Sequence, residues 1–424
     1  LALTRGSYPS LSALHLDGGT AASVLVGSGV VQGVGVGIPY PDDARRLDCE
    51  GCVILPGAVN AHTHLYSGLV PLGMPPPHLE PANFLEILGR VWWRLDRALD
   101  EGSLRAASRL YVAEALLSGT TALIDHHESP AFIDGSLDVL AAAAQTLGCR
   151  LVTCFGATDR NGGHVEGQLG LRECRRFISG NARPLVRGMV GLHASFTVGD
   201  QTVRAAAELC KELGVPLHVH MAEDGADVED AKRRGHAGPL ERLMALGALP
   251  PRSILAHGVH LSAEQVAAAE AAGLWLVQNP RSNAGNRVGF ARSLDASRRV
   301  ALGTDGYPAD MRAERAALGE TATAAGHAVD PAVAQARAAG GYALLSEHFE
   351  ETFSDELRPG IAGDLVVFES SEAALTPGVP PRHVVVAGQV VVEDGRLVHD
   401  DIDDIREYAG VEAPRLWDRM AKIG

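Results

Sequence analysis

Apolar runs rich in β-branched residues recur through the middle of the chain, spaced so that one helix fits between neighbours. They are Thr121–Ile124, Arg150–Phe155, Arg187–Leu192, Val215–Val219, Ser253–Ala256, Leu274–Val277 and Arg299–Leu302, and a further run, Cys52–Leu55, leads into His62. Between them the 3.6-residue pattern of amphipathic helices appears at Leu104–Leu117, Leu137–Leu147, Thr202–Leu213, Val228–Leu246 and Ala263–Ala272. Such alternation predicts a parallel α/β sheet. Eight strands within residues 58–357 predict closure into a (β/α)8 TIM barrel. An open doubly wound sheet is the alternative, but no Gly-rich dinucleotide fingerprint and no Walker A loop is present.

The two ends read differently. Residues 1–57 look like short β segments, and after residue 358 the segments DLVVFES and HVVVAGQVVVEDGRLV return to β character, the second with a hairpin-like EDG turn. The expectation is one small, discontinuous β-sandwich domain formed by 1–57 and 358–424 beside the barrel.

Composition narrows the partners. The 424 residues are 46% apolar and 21% charged, as in a globular protein. A formal charge of −15 argues against nucleic acid or an anionic membrane as main partner. No unbroken apolar span is long enough for a membrane helix: Ala21–Tyr40 lacks charge but is Gly-rich and alternating. Six cysteines in a chain of this length read as reduced thiols, which predicts a cytoplasmic location. Cys49 and Cys52 form a C-x-x-C with no second Cys or His pair nearby to complete a metal or redox site. The chain opens on Leu1, not Met, so its native N-terminus is expected to differ.

In a (β/α)8 barrel the chemistry sits at the C-terminal ends of the strands. Strand one ends in His62 and His64, two residues apart and so on one face. Strand five, VPLHVHMAED, offers His218, His220 and Glu223; strand six, SILAHGVH, offers His257 and then His260; strand eight, RVALGTDG, ends in Asp305. Each has a plain alternative as a hydrogen-bonded loop residue or, for Asp305, a helix cap. Their shared register instead suggests three His and one carboxylate converging on one divalent ion with an open position. His220 lies nearer the mouth than His218, which reads as a buried inner residue. Strand four offers His193 rather than a Lys that could bridge two metals, so one ion is favoured.

Five motifs in series, PGAVNAHTH, HVHMAE, LAHGVHL, QNPRSN and LGTDG, resemble the amidohydrolase superfamily in its cytosine-deaminase-like, triazine-hydrolase branch. The segments WWRLDRALD, IDHHESPAFIDGSL, TCFGATDRN and LGTDGYPADM are most similar to the SsnA-type aminohydrolases. The resemblance implies that His62, His64, His220 and Asp305 bind the metal, and that Glu223 shuttles protons. It also implies that His257 polarises the hydrolytic water, that Asp305 helps to orient it, and that a homodimer forms. Zn is the expected ion, with Fe, Mn or Co compatible with the same ligands. Gln278 stands where many relatives carry His before Asn-Pro.

The implied reaction is deamination of a nitrogen heterocycle by an activated water. The alternatives are hydrolysis of another C–N or a C–Cl bond at the same site, or a non-catalytic barrel scaffold. For substrate contact the candidates are His193, Trp93 (with Trp92), His126 (with His127) and Arg160, the last as a reader of anionic groups. Each has a packing or solvated-loop alternative, as do Ser282 and Asn283, which read equally as helix caps.

Overall fold

The computed structural model describes residues 1–6 and 22–423; the expected β character of residues 7–21 lies outside the described residues. Eight parallel strands form the barrel in chain order: Ala58–Thr63, Thr120–His127, Arg150–Ala157, Val190–Ala194, Leu217–Met221, Ile254–His257, Trp275–Gln278 and Val300–Leu302. The last returns to the first at the mouth. Thr63 bridges Asp305 in parallel, and the His62 carbonyl accepts from the Thr304 and Asp305 N–H groups at 2.9 and 3.0 Å. The strands are buried on both faces, which is why they appear as unbroken apolar runs rather than alternating ones.

Three boundaries differ from the sequence pattern. The Cys52–Leu55 run belongs to the sandwich: Val53–Pro56 pairs antiparallel with Leu365–Phe368, and the barrel strand starts only at Ala58. Gly57 makes the switch, because a Cβ there would run into the Thr121 side chain. The run Arg187–Leu192 divides into a short strand, Val186–Gly188, and the barrel strand from Val190. The helix expected over Val228–Leu246 is two helices, Gly225–Arg233 and Pro239–Ala245, separated at Gly235, whose φ of +86° ends the first.

The chain ends form two facing sheets. One has the order Val30–Gly35, Ala22–Gly27, Ala2–Gly6, Arg46–Asp48; the other has Arg396–Leu397, Gln389–Glu393, His383–Val386, Leu365–Phe368, Val53–Pro56. Leu3, Val24 and Val26 of the first pack with Ile54, Leu365 and Val385 of the second. Both hairpin turns of the second sheet, Ala387–Gly388 and Asp394–Gly395, have positive φ at both residues, the mirror-image turn that suits strand twist. Within 358–424, the last helix, Ile402–Ala421, lies against the barrel helices Glu101–Leu117 and Trp93–Ala98.

A buried arginine ties the sandwich to the barrel. Arg150, first residue of the third barrel strand, donates from Nε to Asp364 (2.7 Å) and from Nη1 and Nη2 to Glu351 (2.8 and 2.9 Å). Asp364 also accepts from the Ala387 N–H at 2.8 Å, so one carboxylate serves strand three and a sandwich hairpin together. All six cysteines are buried. Among the described residues no helix is long and apolar enough to cross a membrane.

Candidate active site

Five side chains meet at the barrel mouth: His62 and His64 from strand one, His220 from strand five, His257 from strand six and Asp305 after strand eight. His64 Nε2 lies 2.8 Å and His62 Nε2 3.4 Å from Asp305 Oδ1, while His220 Nε2 lies 3.3 Å from His64 Nε2. Tetrahedral ligands at zinc bond lengths would be about 3.4 Å apart. The ligand atoms of His62, His220, His257 and Asp305 also fall within 4.8 Å of one another.

The outer ring nitrogens are already used. His64 Nδ1 donates to the His126 carbonyl (2.5 Å), His220 Nδ1 to the His193 carbonyl (2.6 Å) and His257 Nδ1 to Asn283 Oδ1 (2.8 Å). His62 Nδ1 is 2.9 Å from Nε2 of the fully buried His218. The Nδ1 bonds of His64, His220 and His257 orient these rings with Nε2 inward, the arrangement that supports metal ligation. His62 Nε2 and His257 Nε2 are buried without a hydrogen-bond partner. Burial lowers the His62 pKa to about 3 although Asp305 pulls the other way, so the ring is held neutral. Asp305 is held well below the usual carboxylate range: burial works to raise it, and the His62 and His64 rings outweigh that. Ser282 donates to Asp305 Oδ2, leaving Oδ1 for the cluster. The donor set and its unpartnered nitrogens fit one divalent ion, with zinc the natural match for three imidazoles and a carboxylate.

Local strain marks the same place. Ala222, His257 and Asp305 have φ of +47°, +75° and +53°. Left-handed backbone at a non-glycine residue costs on the order of 1 kcal/mol, and all three follow or end barrel strands at the mouth.

Glu223 faces this cluster from just past strand five. Its Oε1 accepts from Asn286 Nδ2 at 3.2 Å and its Oε2 lies 3.6 Å from His257 Nε2. Burial raises its pKa to about 7; His257 pulls it down, Asp305 adds to the rise and the Asn286 bond opposes it. A carboxyl poised near neutrality suits proton transfer in both directions.

The opening is a cavity of about 670 Å³, counted to its open mouth, walled by Tyr66, Phe84, Trp92, Trp93, His193 and Phe196 among others. Trp93 and His193 therefore stand on the wall, and the Trp93 indole N–H is buried without a partner. His193 Nδ1 is 3.0 Å from Thr197 Oγ1.

Two expected substrate contacts are not on the wall. Arg160 is bound to the buried Asp96 carboxylate (2.7 Å), and its guanidinium sits 4.8 Å from the Trp93 ring centroid, propping that ring instead of reading an anion. His126 lies beneath the cavity, its Nε2 donating to the Leu192 carbonyl at 3.0 Å, while His127 turns to Ser129 Oγ at 2.7 Å. The wall residue from strand two is Glu128, which the sequence pattern did not single out. Its signal was register: it stands two places beyond His126 and so continues the inward face. Ser282 and Asn283 bond to Asp305 and His257 rather than cap a helix, and His260 is exposed.

Residues 53–391 match the model of the Amidohydrolase family. The chain belongs to the amidohydrolase family. It is 30% identical to a 5-methylthioadenosine/S-adenosylhomocysteine deaminase of Symbiobacterium thermophilum, over 89% of this chain and 88% of that one. In fold it is similar to an adenosine deaminase of Xanthomonas campestris with bound zinc, with a TM-score of 0.82 at 22% identity, covering 100% of this chain and 98% of that one. It is similar also to the atrazine chlorohydrolase TrzN of Arthrobacter aurescens in complex with zinc, with a TM-score of 0.78 at 21% identity, covering 97% and 100%. Cluster and kinship together make this amidohydrolase a metal-dependent hydrolase acting on carbon–nitrogen bonds.

Proposed function

We propose that this amidohydrolase deaminates an amino-substituted nitrogen heterocycle, such as a purine, pterin or triazine. In this reading His62, His64, His220 and Asp305 hold one divalent ion, Glu223 is the proton shuttle and His257 polarises the hydrolytic water. Trp93 and His193 contact the ring. The observation that carries the proposal is Glu223: a carboxyl of raised pKa, hydrogen-bonded to Asn286 and opposed to His257, opening on the same cavity as the cluster.

A divalent ion held by His62, His64, His220 and Asp305 would supply acidification of a water, whose pKa would fall from about 15.7 to roughly 7. Glu223, facing the cluster, would take a proton from the hydrolytic water as the water oxygen bonds to the sp² carbon bearing the amino group. It then gives the proton to the ring or to the departing nitrogen, and the C–N bond breaks with loss of ammonia. His257, whose Nε2 is buried without a hydrogen-bond partner and faces Glu223, is placed to orient and polarise the same water. The aromatic wall offers faces for a planar ring. Two of the similar proteins are deaminases by name, and a third is a chlorohydrolase; loss of chloride from the same carbon would use the same groups.

Release of ammonia from a panel of aminopurines, pterins and aminotriazines, with bound metal measured in parallel, tests the reading. Stoichiometric metal with no ammonia from any compound would overturn it, and chloride release would favour the alternative. The likeness to SsnA-type aminohydrolases, a homodimer and a cytoplasmic location belong to the same proposal, supported by the quoted segments, the family likeness and the six buried thiols.

A further inference from the structure

The cavity wall carries a carboxylate that the proposed reaction leaves idle. Glu128 is 2% exposed, and neither of its carboxylate oxygens is met in hydrogen-bonding geometry among the described residues. Its nearest neighbours are His126 Nδ1, 2.6 Å from Oε1, and His64 Nδ1, 3.4 Å from Oε2. The His64 proton is already given to the His126 carbonyl. His126 donates from Nε2 to Leu192, and its Nδ1 meets Oε1 outside hydrogen-bonding geometry. The space for the carboxylate is built in: a Cβ on Gly156 of strand three would lie 2.6 Å from Glu128 Oε1 and 2.5 Å from His126 Cε1.

Leaving a buried carboxylate without a donor is costly, and such groups persist where a partner arrives from outside. Among the described residues no Lys or Arg lines the cavity, whereas Asp96, Asp224, Asp227 and Asp305 do, and Arg160 is taken by Asp96. An anionic substituent would meet carboxylates with nothing to neutralise it. An N–H group, neutral or protonated, would supply the donor that Glu128 lacks.

We propose that Glu128 is a specificity-determining residue that accepts a hydrogen bond from an N–H group of the substrate, so that the site takes neutral or cationic aminoheterocycles and turns away those bearing carboxylate or phosphate. This rests on the deaminase reading of the same site. The departing amino group is attacked at the metal cluster, so the donor read by Glu128 is a second one, on another edge of the ring.

The test uses the metal-loaded enzyme and its Glu128→Gln variant, with ammonia release from guanosine, guanosine 5′-monophosphate and 2,4,6-triaminotriazine, each of which carries an N–H group besides the departing amino group. Calorimetric binding of the same three compounds is measured in a Glu223→Gln background, where turnover is not needed. The expected result is a KM and a Kd about ten- to hundredfold higher in the Glu128→Gln protein for the preferred compound, with kcat much less affected. Bound zinc is expected unchanged. The monophosphate is expected to bind at least tenfold more weakly than guanosine. Unchanged KM and Kd, or a monophosphate bound as well as the nucleoside, overturns the role of Glu128 while ammonia release leaves the deaminase reading standing. Loss of zinc in Glu128→Gln also overturns it, making Glu128 a ligand beside His193 and His220, whose donor atoms lie within 4.8 Å of its own. No ammonia and no binding for any compound defeats the parent reading, and this one with it.

Discussion

Glu223→Gln is the substitution that isolates the proton shuttle from everything else in the site. The amide keeps an acceptor for Asn286 Nδ2, now at 3.2 Å from Oε1, and keeps the volume beside His257. It removes only the ability to carry a proton. A positioned acid–base group contributes about 10²–10⁴-fold, or about 3–5.5 kcal/mol of barrier. Glu223 serves twice, accepting from water and returning the proton to the leaving side, so the upper half of that range is expected. The loss falls on kcat, with KM within about threefold, because no contact to the bound ring is removed. The parent's kcat/KM rises with pH as Glu223 loses its proton; with its carboxyl raised to about 7, that limb lies near neutrality, and the charge of a bound ion moves it to lower pH. The variant lacks the limb. Steady-state ammonia release over pH 5–9, with metal content measured on the same samples, is the assay. Turnover within tenfold of the parent at full metal occupancy would refute the assignment.

Other outcomes follow from the surroundings of the site. Arg150→Met strands Asp364, 4% exposed, and Glu351 without their cation, so denaturant unfolding should show about 3–5 kcal/mol lost, partly recovered in Arg150→Met/Asp364→Leu; an unchanged midpoint would remove the tie between barrel and sandwich. Burial holds His127 neutral with its pKa lowered to about 3, whereas the unfolded chain protonates near 6.5, so its stabilisation is complete above that pH and is lost as pH falls, about 2 kcal/mol by pH 5. The unfolding free energy of His127→Asn should therefore depend less on pH between 5 and 7, and parallel curves would sink the point. Chelation should abolish activity and lower Tm, both restored by added zinc, because His62, His64, His220 and Asp305 are left to face one another; a Tm indifferent to chelator would mean that the cluster holds no resident ion.

What the sequence made readable was whatever repeats locally. Parallel strands buried on two faces give continuous apolar runs, and a histidine pair at i, i+2 declares its face, so the barrel and the His62–His64 end of its mouth were visible. Contacts that close over long stretches leave no such trace. Arg160 looked like a free cation because its partner, Asp96, lies 64 residues away; Arg150 looked like an ordinary first strand residue because its partners lie 201 and 214 residues on. Glu128 was hidden differently, since reading it needs the strand-two register to continue past two histidines that seemed sufficient. The helices His164–Gly180 and Pro331–Phe349 escaped because of their glycines. Each interior glycine lowers helix propensity by about 1 kcal/mol relative to Ala, which argues against a helix when the segment is considered alone. In the barrel the preference reverses. Gly170 lies where a Cβ would come within 2.8 Å of the Phe155 ring, and Gly340 packs directly on the Val300 carbonyl of strand eight. Those glycines let the helices approach the strands closely, so the residues that weaken the local signal are the ones the tertiary packing requires.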